Sequence, residues 1–422
     1  MEAGKKIAII GNGCAGAECL KALRESGYTG EIHIFTDNQW PVANPMLTTY
    51  YVAGKIDFPG LFPYGNGDEI YQTYRADVHP DSPVIKLDAS ERVVANQGGF
   101  ELQFDQCLIA AGAAPFLPPI PGIDSNKVYV MRTVEDAVRL KEVLAQRPQK
   151  ALIIGASMVG IKLVETFYKA GLEVTLADLA EYIFPLAAHR DCAEVIEDRL
   201  VKKGIKLKFG AAIKKIEETA GGIKAYFGES PEGEAADFLV MCIGVRANIN
   251  FIDRGQIQCQ QGVLVDKYMR TNVPGVYAAG DVAQGTNLLT GEQQIIGLWA
   301  NGRYQGRTAG RNMAGLAEAL PGNIPHNITH FMGMDFVGIG DVRNYTRTEK
   351  RYDGQRFSQL FWQDERLTGA NFVDDYTSSG ALKTGMIKAL LQNTPAPGYS
   401  APVMQNILID KILMEVEKGE RC

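Results

Sequence analysis

The chain has 422 residues, a net charge of −6 and an apolar fraction of 46%, so it has length for several domains, and its composition excludes a disordered or fibrous protein. The charge balance argues against a nucleic-acid footprint and against a polybasic membrane surface. Seven cysteines, scattered and without a Cys-x-x-Cys pair, point to a reducing, cytoplasmic setting and to no metal centre. No apolar run reaches the ~20 residues of a membrane span, and Ile7–Ile10 runs straight into glycines, as a strand entering a turn does and a secretory leader does not. Glycine is the outlier, with 45 copies where ~7% is usual, which suggests backbone lying against ligands.

The first predicted unit is a strand over Lys6–Ile10, the loop Gly11-Asn12-Gly13-Cys14-Ala15-Gly16, a helix to about Ser26 and a second strand from Glu31 to Phe35 that ends near Asp37. This is a dinucleotide fingerprint. Gly11 permits the tight turn, Gly13 lets backbone approach a pyrophosphate, and Gly16 lets helix and strand pack closely. The helix N-terminus, with Cys14 and Ala15, supplies amide donors and positive dipole, and Asp37 is placed to accept from a ribose hydroxyl.

The pattern returns at Ala151–Ile154, followed by Gly155-Ala156-Ser157-Met158-Val159-Gly160, a helix to about Lys169 and a strand from Glu173 to Ala177 that ends in Asp178. Two dinucleotide sites in one chain are expected. Ser157 stands where the middle glycine would be, so its side chain must be accommodated beside the pyrophosphate or the unit is a packing element without ligand. Asp178 would repel a 2′-phosphate and no arginine follows in Leu179-Ala180-Glu181, which favours NADH over NADPH.

With these loops in place the sequence resembles the FAD-dependent pyridine-nucleotide reductases that carry two dinucleotide-binding domains. Leu108-Ile109-Ala110-Ala111-Gly112 with Pro118–Gly122 is similar to that family's crossover from FAD to NAD domain, with Ala111 where threonine is usual. Met241–Asn248, containing Gly244, is similar to the returning crossover, and Thr271–Asp281, ending Ala279-Gly280-Asp281, resembles the second FAD motif. The resemblance implies an α/β fold of two Rossmann-like domains. The FAD domain (1–121 and 245–320) is interrupted by the NAD(P)H domain (122–244). A small α+β interface domain (325–392), then a linker and an apolar-periodic helix over Met404–Glu417 (393–422), complete it. FAD would occupy the first loop, NADH the second, and Asp281 would bond the ribityl chain. Asn44, Pro45 and Arg132 would also lie beside FAD, and Trp299 is either a neighbour of the flavin ring or a core residue.

The subgroup decides where electrons leave. Relatives that reduce disulfides or peroxide carry a redox cysteine after the first unit, but Trp40–Lys55 contains none and Met46 takes its place. That stretch and Gly297–Gly306 resemble rubredoxin reductases and the flavin module of assimilatory nitrite reductases. The implied acceptor is a small iron–sulfur carrier protein or subunit, in either physiological direction; an NADH oxidase and a flavin-binding subunit of a larger electron-transfer complex are the alternatives. Thr49 stands where relatives have lysine and Lys162 where they have glutamate. The resemblance thus implies a cation delivered to the flavin from the other side, or else a lysine that snorkels to solvent. The basic run from Arg343 to Arg356 is either a docking surface or a solvated hairpin, and the C-terminal tail is a candidate homodimer surface.

Overall fold

A computed structural model describes residues 5–375 and 379–392; the expected linker and helix at 393–422 lie outside them. Two compact units emerge from the contacts. Among the described residues, one comprises 5–116, Arg132–Lys141 and Val245–Asn323; the other comprises Leu117–Met131, Glu142–Gly244, 324–375 and 379–392.

In the first unit, strands β1 (Lys6–Ile10), β2 (Glu31–Phe35), β3 (Asp77–His79) and β4 (Gln106–Ile109) form a parallel sheet. Helix α1 (Cys14–Glu25) joins β1 to β2, and the short α2 (Thr48–Val52) follows. Ile7, Ala8, Ile9 and Ile10 are all buried, as expected of a central parallel strand covered on both faces. In the second unit the same design recurs with β5 (Val128–Val130), β6 (Lys150–Ile154), α3 (Met158–Lys169), β7 (Glu173–Ala177), β8 (Lys206–Lys208) and β9 (Phe238–Met241), in the order β8-β7-β6-β9-β5.

The chain then returns to the first unit, where β10 (Val276–Ala278) pairs with β4 and completes the order β10-β4-β1-β2-β3. Helix α4 (Trp299–Met313) lies against α1. The contact is backbone on backbone. A Cβ at Gly306 would meet the Ala15 carbonyl oxygen at 2.2 Å and one at Gly310 the Cys19 carbonyl oxygen at 2.5 Å, so glycine is required at both, while one at Gly302 would press on the Cys14 sulfur at 3.1 Å.

From Ile324 the second unit adds an antiparallel sheet of β11 (His326–Phe331), β12 (Met334–Gly340), β13 (Arg347–Tyr352), β14 (Phe357–Gln363) and β15 (Arg366–Val373), ordered β11-β12-β15-β14-β13, with helix α5 (Ser379–Gln392). The basic run predicted between Arg343 and Arg356 therefore occupies β13 and its flanking turns. Fully buried Asn371 ties this sheet to the dinucleotide fold of the same unit: it accepts from the His189 amide (2.7 Å) and donates to the Ala187 carbonyl (2.8 Å).

Candidate functional site

The first glycine loop has the geometry its sequence predicts. Gly11 has φ +111°, and a Cβ there would lie 2.2 Å from the Ala110 carbonyl oxygen; a Cβ on Gly16 would lie 2.3 Å from the Gly11 carbonyl oxygen. A Cβ on Gly13 would meet nothing within 4 Å. The first and third glycines are thus dictated by the protein itself, whereas the second leaves open a space over the N-terminus of α1, where amide donors and helix dipole favour a pyrophosphate. Those residues fit an FAD.

Around this cradle, Gly280 (φ +83°) donates its N–H to Gln305 Oε1 at 2.8 Å, and the partly buried Asp281 carboxylate takes the Arg132 guanidinium at 2.6 Å. Asn248 closes the crossover by donating to the carbonyls of Gly112, which has φ +63°, and of Ala111 (3.0 and 2.8 Å). Asp37 is exposed and accepts from the Asn38 side chain. Asn44 Oδ1 accepts from the Met46 amide (2.9 Å) and the Pro45 carbonyl from the Thr48 hydroxyl (2.8 Å), which holds the turn into α2; Thr49 is buried on that helix. Trp299 opens α4, half-buried against the core, with its ring 6.4 Å from Tyr64 and its carbonyl accepting from the Cys14 thiol.

Thiol chemistry has no support here. Burial, reinforced by Asp281, pushes the Cys14 thiol up to about 12, and burial likewise raises Cys19, Cys107, Cys192, Cys242 and Cys259. Among the described cysteines none is a thiolate near neutral pH. Met46 is 61% exposed.

In the second unit, Gly155 (φ +112°) and Gly160 repeat the constraint: their Cβ atoms would lie 2.3 Å from the Cys242 carbonyl oxygen and 2.1 Å from the Gly155 carbonyl oxygen. Ser157 does not obstruct the loop. Its Oγ turns back to accept from the Gly160 N–H at 3.2 Å, capping α3. Asp178 accepts from the Ala156 and Ala180 amides (2.6 and 2.8 Å), which fixes it at the end of β7 under the loop. Met158 begins α3, exposed Val159 follows it, and Gly244 (φ +107°) has open space beside it. These residues fit an NAD(H). Lys162, one turn on, donates from its ammonium to the His330 carbonyl of β11, a partner 168 residues away that the sequence does not announce.

Sequence reasoning also missed Glu18, only 2% exposed. It accepts from Tyr64 (2.7 Å), Arg303 (3.0 Å) and Arg307 (3.1 Å). Burial pushes this carboxyl up, but the bonds from Tyr64, Arg307 and Arg303 outweigh it and hold the group below its ordinary value. The available signal was a glutamate on the face that α1 otherwise fills with Ala15, Ala22 and Cys19.

Two glycine-cradled dinucleotide sites, the second inserted into the fold of the first, define a flavin- and nicotinamide-dependent oxidoreductase. The chain belongs to the pyridine nucleotide-disulphide oxidoreductase family, whose model matches residues 5–306, a family dependent on FAD and NAD(H). It is 29% identical over 384 residues to the NADH-dependent phenylglyoxylate dehydrogenase subunit epsilon of Aromatoleum evansii, covering 89% of this chain and 90% of that one. It is 24% identical to the rubredoxin-NAD(+) reductase of Ectopseudomonas oleovorans, over 90% of this chain and 99% of that one. In fold it matches the reductase of the covalent putidaredoxin reductase–putidaredoxin complex with a TM-score of 0.87 at 21% identity, over 97% of this chain and 99% of the other. The expected fold class and cofactors agree with these findings. No helix among the described residues is long and apolar enough to cross a membrane.

Proposed function

We propose that this protein carries electrons between NADH and a small rubredoxin- or ferredoxin-like iron–sulfur protein, in either direction. The observation that carries the reading is the pairing of two intact dinucleotide cradles with exposed Met46 where cysteine-dependent relatives hold their redox thiol. FAD, when bound, supplies the exchange between a hydride and single electrons. The residues of the chain do the positioning. Gly13 and the α1 amides hold one pyrophosphate and the α3 amides the other, with Ser157 turned back as the cap of α3, and the carboxylate of Asp178 favours the unphosphorylated ribose of NADH. By the resemblance to the family, Lys162 is the residue proposed to supply a positive charge to the redox ring and Thr49 the uncharged replacement of the usual lysine; within its own unit the Lys162 ammonium donates to the His330 carbonyl.

Anaerobic titration tests this. Flavin absorbance should bleach with low NADH and not with low NADPH, and the reduced protein should then reduce rubredoxin. Bands that persist with both nucleotides would overturn the reading, and rapid oxygen consumption with no carrier reduction would replace it with an oxidase. The subunit name of the Aromatoleum relative favours a second reading, in which this chain delivers electrons within a larger complex; co-purification of iron–sulfur subunits would support it.

A further inference from the structure

Helix α4 carries a buried polar stripe beside its glycines. Asn301, Gln305, Thr308 and Asn312 recur at spacings of four, three and four, and all are between 3 and 5% exposed. A buried helix face at that spacing normally takes apolar side chains, and an amide placed there is costly unless its atoms are bonded. Two of the amides bind the chain around the helix. Asn301 donates to the Ile296 carbonyl (3.0 Å) and accepts from Asn323 (3.1 Å), while Asn312 donates to the carbonyls of Tyr268 and Glu318 (3.2 and 2.7 Å) and accepts from the Glu318 N–H (3.0 Å).

Gln305 serves a different donor. Strand β10 ends at Ala278, the Ala279 N–H still reaches the Ile109 carbonyl (3.0 Å), and the Ala283 N–H closes a turn on the Gly280 carbonyl (3.0 Å). The Gly280 N–H lies beyond the strand, and Gln305 Oε1 takes it at 2.8 Å. Gly285 makes room for this side chain, since a Cβ there would lie 3.0 Å from Gln305 Nε2. The turn so held rests on the first cradle: a Cβ on Gly280 would meet the Ala15 Cβ at 3.2 Å. Its next residue is Asp281, whose carboxylate takes the Arg132 guanidinium at 2.6 Å. Arg132 thus fixes the side chain of Asp281, and Gln305 fixes the backbone that presents it.

That backbone needs fixing. Gly280 sits at φ +83° and, having no Cβ, is free to leave that conformation. Without the glutamine oxygen its partly buried N–H would lack a partner, which is costly, and a peptide rotating to find one would carry Asp281 with it. We propose that Gln305 is a positioning residue for the flavin, which sets the Gly280–Asp281 turn in its cofactor-binding form before FAD arrives. A turn ordered in advance does not have to be ordered at the expense of binding. The inference concerns the cofactor alone and is independent of which acceptor takes the electrons.

The test uses the full chain, freed of FAD and titrated with it. Gln305→Met, similar in length and without the acceptor, should weaken FAD binding by at least about tenfold, and Gln305→Glu, which keeps an acceptor oxygen, should recover most of that loss. Asn312→Ala, about 10 Å further along the helix, should lower the urea midpoint and leave FAD binding at the wild-type level. Gln305→Met that binds FAD like wild type would overturn the proposal, as would Gln305→Glu that binds no better than Gln305→Met. Equal weakening by Asn312→Ala would also overturn it, because the effect would then be one of packing alone. Hydrogen exchange of the wild-type chain decides independently, whether or not the variants fold: a Gly280 amide already protected in the apoprotein supports the preset turn, and one protected only after FAD is added overturns it.

Discussion

Replacing each of two neighbouring glycines by alanine should separate what the protein needs from what the cofactor needs. Gly13 has extended backbone (φ −89°, ψ −173°) and caps α1, and its Cβ would enter open space. Alanine is a poorer cap than glycine by about 0.5–1 kcal/mol, while the lost freedom of the unfolded chain returns about 0.4–1 kcal/mol. Gly13→Ala should therefore leave the stability of the apoprotein within about 1 kcal/mol of wild type. The methyl would occupy the space left for the pyrophosphate, so FAD affinity should fall by at least about tenfold, or ~1.4 kcal/mol. Gly16→Ala is the opposite case. Its methyl would sit 2.3 Å from the Gly11 carbonyl oxygen, a backbone atom that cannot swing away, and forcing the helix outward should cost the apoprotein about 1–3 kcal/mol or more. Urea unfolding of the apoproteins and fluorescence titration with FAD measure the two quantities separately. Gly13→Ala that destabilises the apoprotein as much as Gly16→Ala, or that binds FAD like wild type, would refute the assignment of that open space to the cofactor.

Three other outcomes follow from the geometry. Ser157→Gly, which loses only the bond to the Gly160 amide, should cost a few tenths of a kcal/mol in unfolding experiments and leave NADH binding intact, whereas Ser157→Ala should cost about 1 kcal/mol; weaker NADH binding by the glycine variant would contradict the cap role. On the role proposed for Lys162, which comes from the family resemblance, Lys162→Met should lower the flavin potential in a dye-coupled redox titration, because a cation supplied to the ring would stabilise its reduced anionic form; no downward shift would dismiss that role. His326 is held down to about 4 from 6.5 by burial and then by Lys383, whose ammonium lies 2.9 Å from Nε2. Its contribution to stability is complete above pH 6.5 and is lost as the pH falls through 4. His326→Gln should flatten the acid limb of the stability profile over that window, by up to about 1 kcal/mol per pH unit after allowance for partial exposure, and an unchanged limb would assign the acid sensitivity to other groups.

What could be read from residues alone was whatever a short stretch determines by itself. β1, α1 and β2 followed from an apolar run, a glycine spacing and an acidic terminus within thirty-odd residues, and the same held for β6, α3 and β7. The missing redox cysteine was legible only through the family resemblance, which says that Trp40–Lys55 is where to look for it. What escaped depends on partners far away in sequence. Glu18 looks like a surface residue until Arg303 and Arg307 are brought over it from α4, and Gly302, Gly306 and Gly310 look like helix breakers until α1 lies against them. Lys162 gave a charge and a position but not its acceptor, since the His330 carbonyl is backbone from another sheet. The cap made by Ser157 was local and could have been inferred, because a serine before a helix has an alternative to facing the ligand.

The glycine-faced contact between α1 and α4 also bears on how the chain is made. The α1 segment emerges early in synthesis, but the helix that covers it does not end until Met313, and no side-chain layer elsewhere can stand in for a surface on which backbone meets backbone. The long insertion that forms the second dinucleotide fold, by contrast, pairs β6 with β7 and β9 from within one continuous stretch. Synthesis should therefore produce an ordered nicotinamide fold while the flavin fold still waits for its last helix. A ribosome-bound chain cut short before that helix would expose the apolar side of α1 and offer FAD an incomplete cradle, so flavin is expected to bind such a chain more weakly than the full one.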